Sequence, residues 1–248
     1  MKIEKTPLLR NCAIVLTMAL GSIAFAQPMA TTTARVQTVH IKPDMVAEWV
    51  DLQKNEVVPA LKKGGATGRT VYQTALFGNA YEYVIVTPFA KYAEFDGQGA
   101  TLKALGEAAN ARLQTKLRKC IESSTYYAMT RMTDISNVLP QPTDWIVTAR
   151  YRIAPGKMDD FTALMKSDVL PVYKKANTSL TVNRRTYGAN PNDLTLVTGY
   201  SKMADLDGGT FMTKQLGADG AAKVNAKFTG IRTLIEVLVR RRVADLSF

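Results

Sequence analysis

Histidine and cysteine are scarce in this chain. Its 248 residues include one histidine, His40, and two cysteines, Cys12 and Cys120. A zinc site of several histidines, or a His-Glu-x-x-His helix, therefore has no residues to be built from. The sequence also lacks a Cys-x-x-Cys pair, a P-loop and a Gly-x-Ser-x-Gly elbow. We predict no metal site and no bound cofactor, and the sequence leaves open whether the protein is an enzyme.

Long hydrophobic runs are missing outside the N-terminal region. There a basic stretch, residues 2–10, precedes an apolar run, residues 13–26, that ends in the small-x-small box Ala24-Phe25-Ala26. This arrangement is typical of a secretory signal peptide, and the run is short for a bilayer span. We predict a signal peptide over residues 1–26, cleavage before Gln27, and a periplasmic or secreted protein with no integral membrane segment after cleavage.

Acidic residues are fewer than basic ones, 21 against 32, and the formal net charge is +11. Such a charge often marks nucleic-acid binding, but an exported protein rarely meets nucleic acid. We predict no nucleic-acid partner and consider a small anionic ligand or an anionic envelope surface; solubility alone is an equal alternative. Cys120 is the one cysteine left after cleavage, so no intramolecular disulfide is expected, and its apolar neighbours indicate a buried thiol.

The chain does contain an internal repeat. The stretch TPFAKYAEFDG, residues 87–97, returns as TGYSKMADLDG, residues 198–208, with five of eleven positions identical. The match extends to VVPALKK at residues 57–63 and VLPVYKK at residues 169–175. Repeats of this length indicate that one supersecondary unit is built twice.

The repeat covers nearly all of the chain after the signal peptide. We predict a first repeat over residues 33–136 and a second over residues 145–248. Between them lies a proline-containing linker, NVLPQPTD, at residues 137–144. The chain would therefore be a self-contained pseudo-dimer, and its further oligomerisation is left open.

Each repeat shows the same order of elements. Segments that alternate and are rich in β-branched residues predict strands, and a period near 3.6 predicts helices, in the order β-α-β-β-α-β. This is the ferredoxin-like unit, in which helices cover one face of a four-stranded antiparallel sheet. The bare faces of two such sheets must be covered. We therefore predict an α+β protein, two tandem ferredoxin-like (βαββαβ) repeats that form a pseudo-dimeric α/β barrel.

With these features the sequence resembles the dimeric α/β-barrel superfamily, which includes NIPSNAP-like, antibiotic-biosynthesis-monooxygenase-like and EthD-like proteins, here as a fused tandem repeat. The resemblance rests on the strand order, the P-x-x-K-K helix end and the aromatic-Ala/Ser-Lys-x-x-[DE]-[FL]-D-G start of the second helical region. It implies the fold but no single activity, because the superfamily holds enzymes, haem proteins and proteins of unknown role. Some haem-binding relatives take an axial histidine from a late helix, where this chain has none.

Strand alternation places four arginines on the barrel side of the second repeat. In its first strand Arg150 and Arg152 share that side, and in its last strand Arg240 and Arg242 share it with Glu236. Guanidinium groups bind carboxylates and phosphates in a bidentate fork. We predict these four arginines as ligand-binding residues for an anion; the alternative is an internal salt-bridge network with rim arginines that reach water.

His40 and Tyr127 are the catalytic candidates. Alternation puts His40 on the barrel side of the first strand, and it puts Tyr127 and Met129 on that side of the fourth. His40 could serve as a general base or a haem ligand, or it could be a hydrogen-bonded or solvated histidine at a strand end. We predict a small-molecule-binding or stress-related accessory protein; the alternative is a cofactor-independent monooxygenase-like enzyme acting on an aromatic or polyketide-like compound inside the barrel.

Overall fold

Eight strands form a closed barrel in the computed structural model, which describes residues 32–248. The strands, in chain order, are β1 (Thr33–Ile41), β2 (Thr70–Gln73), β3 (Glu82–Pro88), β4 (Ile121–Arg131), β5 (Trp145–Ile153), β6 (Leu180–Arg185), β7 (Asp193–Tyr200) and β8 (Arg232–Arg242). Their order around the barrel is β1-β3-β2-β8-β5-β7-β6-β4, and all eight neighbouring pairs are antiparallel. The predicted signal peptide lies outside the described residues.

Seven α-helices of the described chain pack on the outside of the barrel. They are α1 (Val46–Leu52), α2 (Val58–Lys63), α3 (Ala100–Leu105), α4 (Glu107–Cys120), α5 (Met158–Leu164), α6 (Leu170–Lys175) and α7 (Phe211–Lys227). Within residues 32–248, no helix has the length and apolar character that a membrane crossing needs. The predicted α+β class and the closed barrel are confirmed.

The same order of elements occurs on both sides of the linker. Strands β1 to β4 are neighbours in the order β4-β1-β3-β2, and strands β5 to β8 follow as β8-β5-β7-β6. Two seams join these halves: β4 pairs with β6, and β2 pairs with β8. The barrel wall is therefore continuous, with no unpaired strand edge between the halves.

The first helical region of each half contains a π-helical turn at the same place. This turn spans Gln53–Val57 between α1 and α2, and Met165–Val169 between α5 and α6. Pro59 and Pro171 follow in the first turn of the next helix. Proline has no backbone N–H, and its ring clashes with the carbonyl four residues earlier. The wider π turn separates these groups and lets each helix continue.

Glycines interrupt the second helical region at matching positions. Gly106 has φ 73° and ψ 171°, and Gly217 has φ 73° and ψ 169°. Residues with a Cβ are strained in this conformation, so glycine is required at both places. Each break redirects the chain before the longer helical segment packs on the sheet.

Two hydrophobic cores lie between the helices and the outer face of the barrel wall. In the first half Trp49 of α1 packs on Tyr83 of β3, with ring centroids 4.5 Å apart. In the second half Phe161 packs near Phe228 at 5.7 Å. Val39, Ile41 and Ile153 are buried in these cores, on the helix-facing side that alternation predicts. Cys120 is a free thiol buried in the first core.

Candidate ligand cavity

The barrel interior contains a partly open cavity of about 740 Å³. This volume lies within the range of roughly 300–1,000 Å³ that small-molecule sites occupy. The inner faces of the strands form its wall, and residues 138–143 of the linker and residues 188–190 of the β6–β7 loop also contribute. The interior therefore holds space that side chains do not fill.

The linker lies close against β7 because of one glycine. A Cβ placed on Gly199 would stand 2.6 Å from Thr143 Oγ1 and 2.8 Å from Thr143 Cγ2. These separations are shorter than a van der Waals contact allows, so a side chain at this position would force the Thr143 side chain to move. Gly199 thereby leaves room for Thr143 against β7.

Two of the predicted arginines share one buried carboxylate. Arg152 Nη2 donates to Asp193 Oδ2 at 3.1 Å, and Arg152 Nε donates to Asp193 Oδ1. Arg150 Nη1 donates to Asp193 Oδ2 at 3.3 Å, and Arg150 Nε donates to Glu236 Oε1 at 3.0 Å. The hydrogen bond from Arg152 is the main reason that the pKa of Asp193 lies below its ordinary value.

The third predicted arginine is held by Glu82 at the start of β3. Arg240 Nη2 donates to Glu82 Oε1 at 2.9 Å, and its Nη1 donates to the hydroxyl of Thr148. Thr74 Oγ1 also donates to Glu82 Oε1 at 2.8 Å. Burial opposes ionisation of Glu82, but the bonds from Arg240 and Thr74 leave its pKa below the ordinary value.

The four predicted arginines differ in whether they line the cavity. Arg150, Arg152 and Arg240 line the cavity, and each has a carboxylate partner, as the salt-bridge alternative expects. Arg242 does not line the cavity; it lies opposite Tyr72 in the β2–β8 seam. Ligand binding by these arginines remains a prediction.

Sequence reasoning missed the acids Glu82 and Asp193. The sequence does contain a pattern that points to them: each acid is the first residue of the third strand of its half, and the two positions match in the repeat. An acid kept at the start of an otherwise apolar strand indicates a partner on the neighbouring strand. Glu82 lies opposite His40 and Asp193 lies opposite Arg152 in the strand register.

The two catalytic candidates are placed differently. His40 does not line the cavity: its Nδ1 lies 2.9 Å from Ser123 Oγ and its Nε2 lies 3.3 Å from Glu82 Oε2. Tyr127 lines the cavity, and the guanidinium carbon of Arg185 stands 4.3 Å from the centre of its ring. Burial raises the pKa of Tyr127, so its hydroxyl stays protonated at neutral pH.

Comparison with known proteins shows the fold and no closer relationship. Neither the family models nor the curated protein sequences that were searched match the chain. A "putative monooxygenase" from Lactobacillus acidophilus NCFM superimposes with a TM-score of 0.58 at 9% identity, covering 87% of this chain and 94% of that one. An anthrone oxidase-like protein superimposes with a TM-score of 0.54 at 9% identity, covering 87% of this chain and 92% of that one.

A mutant chlorite dismutase from Candidatus Nitrospira defluvii also superimposes, with a TM-score of 0.53 at 8% identity, covering 87% of this chain and 93% of that one. All three likenesses extend over the whole barrel. The described chain therefore has the closed α+β barrel of the dimeric α/β-barrel type. At these identities the likeness defines the fold alone, and the activity must be argued from the site.

Proposed function

We propose that this protein is an exported small-molecule-binding protein whose ligand occupies the barrel cavity, in an accessory role such as a stress response. The cavity of about 740 Å³ is the observation that carries the proposal. A well-packed protein interior leaves few voids larger than a water molecule, so an open interior of this size needs an explanation. Occupation by a ligand provides one.

The charge of the wall favours an anionic ligand. Among the described residues, five arginines and three carboxylates line the cavity, and no lysine or histidine does. A surplus of fixed positive charge inside low-dielectric walls raises the local concentration of anions. Of the predicted arginines, Arg150, Arg152 and Arg240 contribute to this field, although all three are already paired, and Arg242 lies outside the cavity wall.

We further infer that the two halves are tandem ferredoxin-like repeats and that the chain is a fused counterpart of the two-chain barrels, as in NIPSNAP-like and EthD-like proteins. The repeated order of elements supports this inference. So do the matching π turns and the matching glycines Gly106 and Gly217. Independent origins would not reproduce these local irregularities at equivalent positions.

A second candidate function is a cofactor-independent monooxygenase-like enzyme acting on an aromatic or polyketide-like compound. The anthrone oxidase-like neighbour and the Lactobacillus neighbour favour it by name. In this chain Tyr127 would contact the substrate, while His40 would have to leave Ser123 and Glu82 to act as a base. Oxygen uptake with anthrone, lost in Tyr127→Phe, would support the enzyme; no uptake above a protein-free blank would reject it.

Native mass spectrometry tests the binding function. Protein purified from its own host should carry a non-covalent small molecule, which is identified after denaturation. A Val197→Trp variant serves as the control, because Val197 lines the cavity and a larger side chain there would displace the ligand. An unoccupied wild-type barrel, or a ligand retained equally by Val197→Trp, would contradict the proposal.

Export has its own test. We propose a periplasmic or secreted location, with Gln27 as the mature N terminus. N-terminal sequencing of the protein recovered from the periplasm or the medium should begin at this residue. Protein that begins at Met1 and remains with the cytosol would reject the proposal.

A further inference from the structure

Two arginines of the cavity wall have no acidic partner among residues 32–248. Of the five that line the cavity, Arg150, Arg152 and Arg240 account for every ion pair that the three lining carboxylates make with arginine. Arg131 and Arg185 remain. Within residues 32–248, neither has a carboxylate oxygen within 4.0 Å of its guanidinium nitrogens. The surplus positive charge of the wall is therefore located on these two side chains.

Both arginines lie on the seam between β4 and β6. In its register Met129 faces Arg185 and Arg131 faces Asn183. Arg131 and Arg185 are therefore diagonal neighbours on the inner face. Diagonal positions on paired strands are about 7–8 Å apart, well within the combined reach of two arginine side chains. The two guanidinium groups can converge on one bound group.

Arg185 lies just beyond the paired stretch of β6 and β7. The last pair of that stretch is Arg184 with Leu194, and Asp193 precedes Leu194 on β7. That carboxylate already accepts hydrogen bonds from Arg150 and Arg152. Arg185 packs on the ring of Tyr127, with its guanidinium carbon 4.3 Å from the ring centre.

The buried atoms of this pair lack hydrogen-bond acceptors. The Nε atoms of Arg131 and Arg185 are both shielded from solvent, and neither has a partner among the described residues. Burial also lowers the pKa of Arg131. A buried donor without an acceptor is costly, and a buried charge without a counter-charge costs more. An anion in the cavity would supply the missing counter-charge.

We propose that Arg131 and Arg185 bind the oxyanion of a small carboxylate whose apolar body lies against the aliphatic part of the cavity wall. This proposal rests on the proposed ligand-binding function and specifies the chemistry of that ligand. Planar guanidinium forks match carboxylate geometry and form short, charge-assisted hydrogen bonds. Val36, Val86 and Ile146 supply apolar surface in the same cavity. The neighbouring Tyr127 ring adds a flat surface for an aromatic body.

Calorimetric titration with benzoate and benzamide tests the site at fixed ionic strength. The two probes share shape and size, and benzoate alone carries the negative charge. Wild-type protein should bind benzoate more tightly than benzamide. Each of Arg131→Gln and Arg185→Gln should weaken benzoate binding roughly tenfold or more while leaving benzamide binding unchanged. Arg184→Gln is the matched control, since Arg184 lies on the same strand, is exposed and donates to Pro191 O.

The outcomes separate this site from the general function. Equal affinity for benzoate and benzamide, or unchanged benzoate binding in the Arg131→Gln/Arg185→Gln double variant, overturns the oxyanion site and leaves small-molecule binding intact. Failure of both probes to bind wild type overturns the site, and an unoccupied barrel in native mass spectrometry then removes the function too. Retained benzamide binding shows that the variants are folded.

Discussion

His40 faces Glu82 across β1 and β3 in the same way that Arg152 faces Asp193 across β5 and β7. His40 Nε2 lies 3.3 Å from Glu82 Oε2, and Arg152 Nη2 lies 3.1 Å from Asp193 Oδ2. The basic side chain differs between the halves: it is an imidazole in the first and a guanidinium in the second. Glu82 also pairs with Arg240 of the other half, whereas the ion pairs of Asp193 lie within its own half.

The carboxylates of these pairs should make stability depend on pH in the acid range. The pKa values of Glu82 and Asp193 both lie below their ordinary values. A lowered folded-state pKa contributes stability that is present above the unfolded pKa, about 4, and is lost as pH falls through the folded pKa. We expect Glu82→Gln and Asp193→Asn to lower the free energy of unfolding at pH 7 by about 1–3 kcal/mol.

The measurement is denaturant unfolding between pH 2 and pH 7. Both variants should show a flatter acid limb than wild type. Asp159→Asn is the control, since Asp159 is exposed and makes no ion pair among the described residues. An acid limb as steep in both variants as in wild type would show that these carboxylates do not control acid stability.

Arg69, a buried arginine of the first half, should be replaceable without loss of stability by the residue found at the matching position of the second half. Arg69 is 4% exposed, donates from Nη2 to Gln53 Oε1 at 2.6 Å, and leaves Nε and Nη1 without partners. Burial lowers its pKa to about 10. In the second half, Leu180 occupies the position that matches Arg69, and Met165 occupies the position that matches Gln53. Both are buried. The match is fixed by backbone pairing, because Phe248 pairs with Arg69 as Asn137 pairs with Leu180.

We expect the double substitution Gln53→Met/Arg69→Leu to raise the free energy of unfolding by about 1–4 kcal/mol, since well-packed apolar residues often replace a buried polar pair with a gain. Arg69→Leu alone should gain less, because it leaves the buried Gln53 amide without its partner. Denaturant melts of the three proteins decide between these outcomes. A double variant less stable than wild type would mean that the pair satisfies a requirement absent from the second half.

The contact between Gly199 and Thr143 should control the linker. Gly199→Ala places a methyl group 2.6 Å from Thr143 Oγ1, so we expect a loss of about 1–3 kcal/mol in the free energy of unfolding. The linker should also become more accessible to protease. Gly199→Ala/Thr143→Gly should restore protection, because the clashing side chain is removed.

The control for this experiment is Gly97→Ala, since a Cβ at Gly97 meets no atom within 4 Å. Limited proteolysis and thermal melts should leave this control close to wild type. Equal protection of the linker in Gly199→Ala and wild type would show that the linker is not held by this contact.

Separated halves should depend on each other. Each half alone would expose the inner face of its sheet and the seam edges of β2 and β4, or of β6 and β8. Such surfaces aggregate when unpartnered. We expect chains cut near Pro140 to be insoluble when produced singly and to form a soluble complex when co-produced, as judged by gel filtration. Two soluble monomeric halves with cooperative melts would contradict a shared barrel.

The sequence predicts the outline of this fold better than its contacts. Alternation alone places Val39 and Ile41 towards the helices and Arg150 towards the cavity, because side-chain direction along a strand is a local property. The partners of the arginines depend on register between strands distant in the chain. The position of Arg185 beside Met129 is set by a seam that no local pattern specifies.

Because a linker joins the two halves, this barrel can differ from one that two identical subunits form. A barrel assembled from two identical subunits receives every substitution twice, so an arginine gained at one wall appears at the opposite wall as well. Here Met129 and Arg240 occupy matching positions but differ in charge, and His40 and Arg152 occupy matching positions but differ in side chain. In a single chain, a substitution can change one wall of the barrel and leave the other unchanged. The binding surface can therefore be asymmetric although the barrel itself is nearly symmetric.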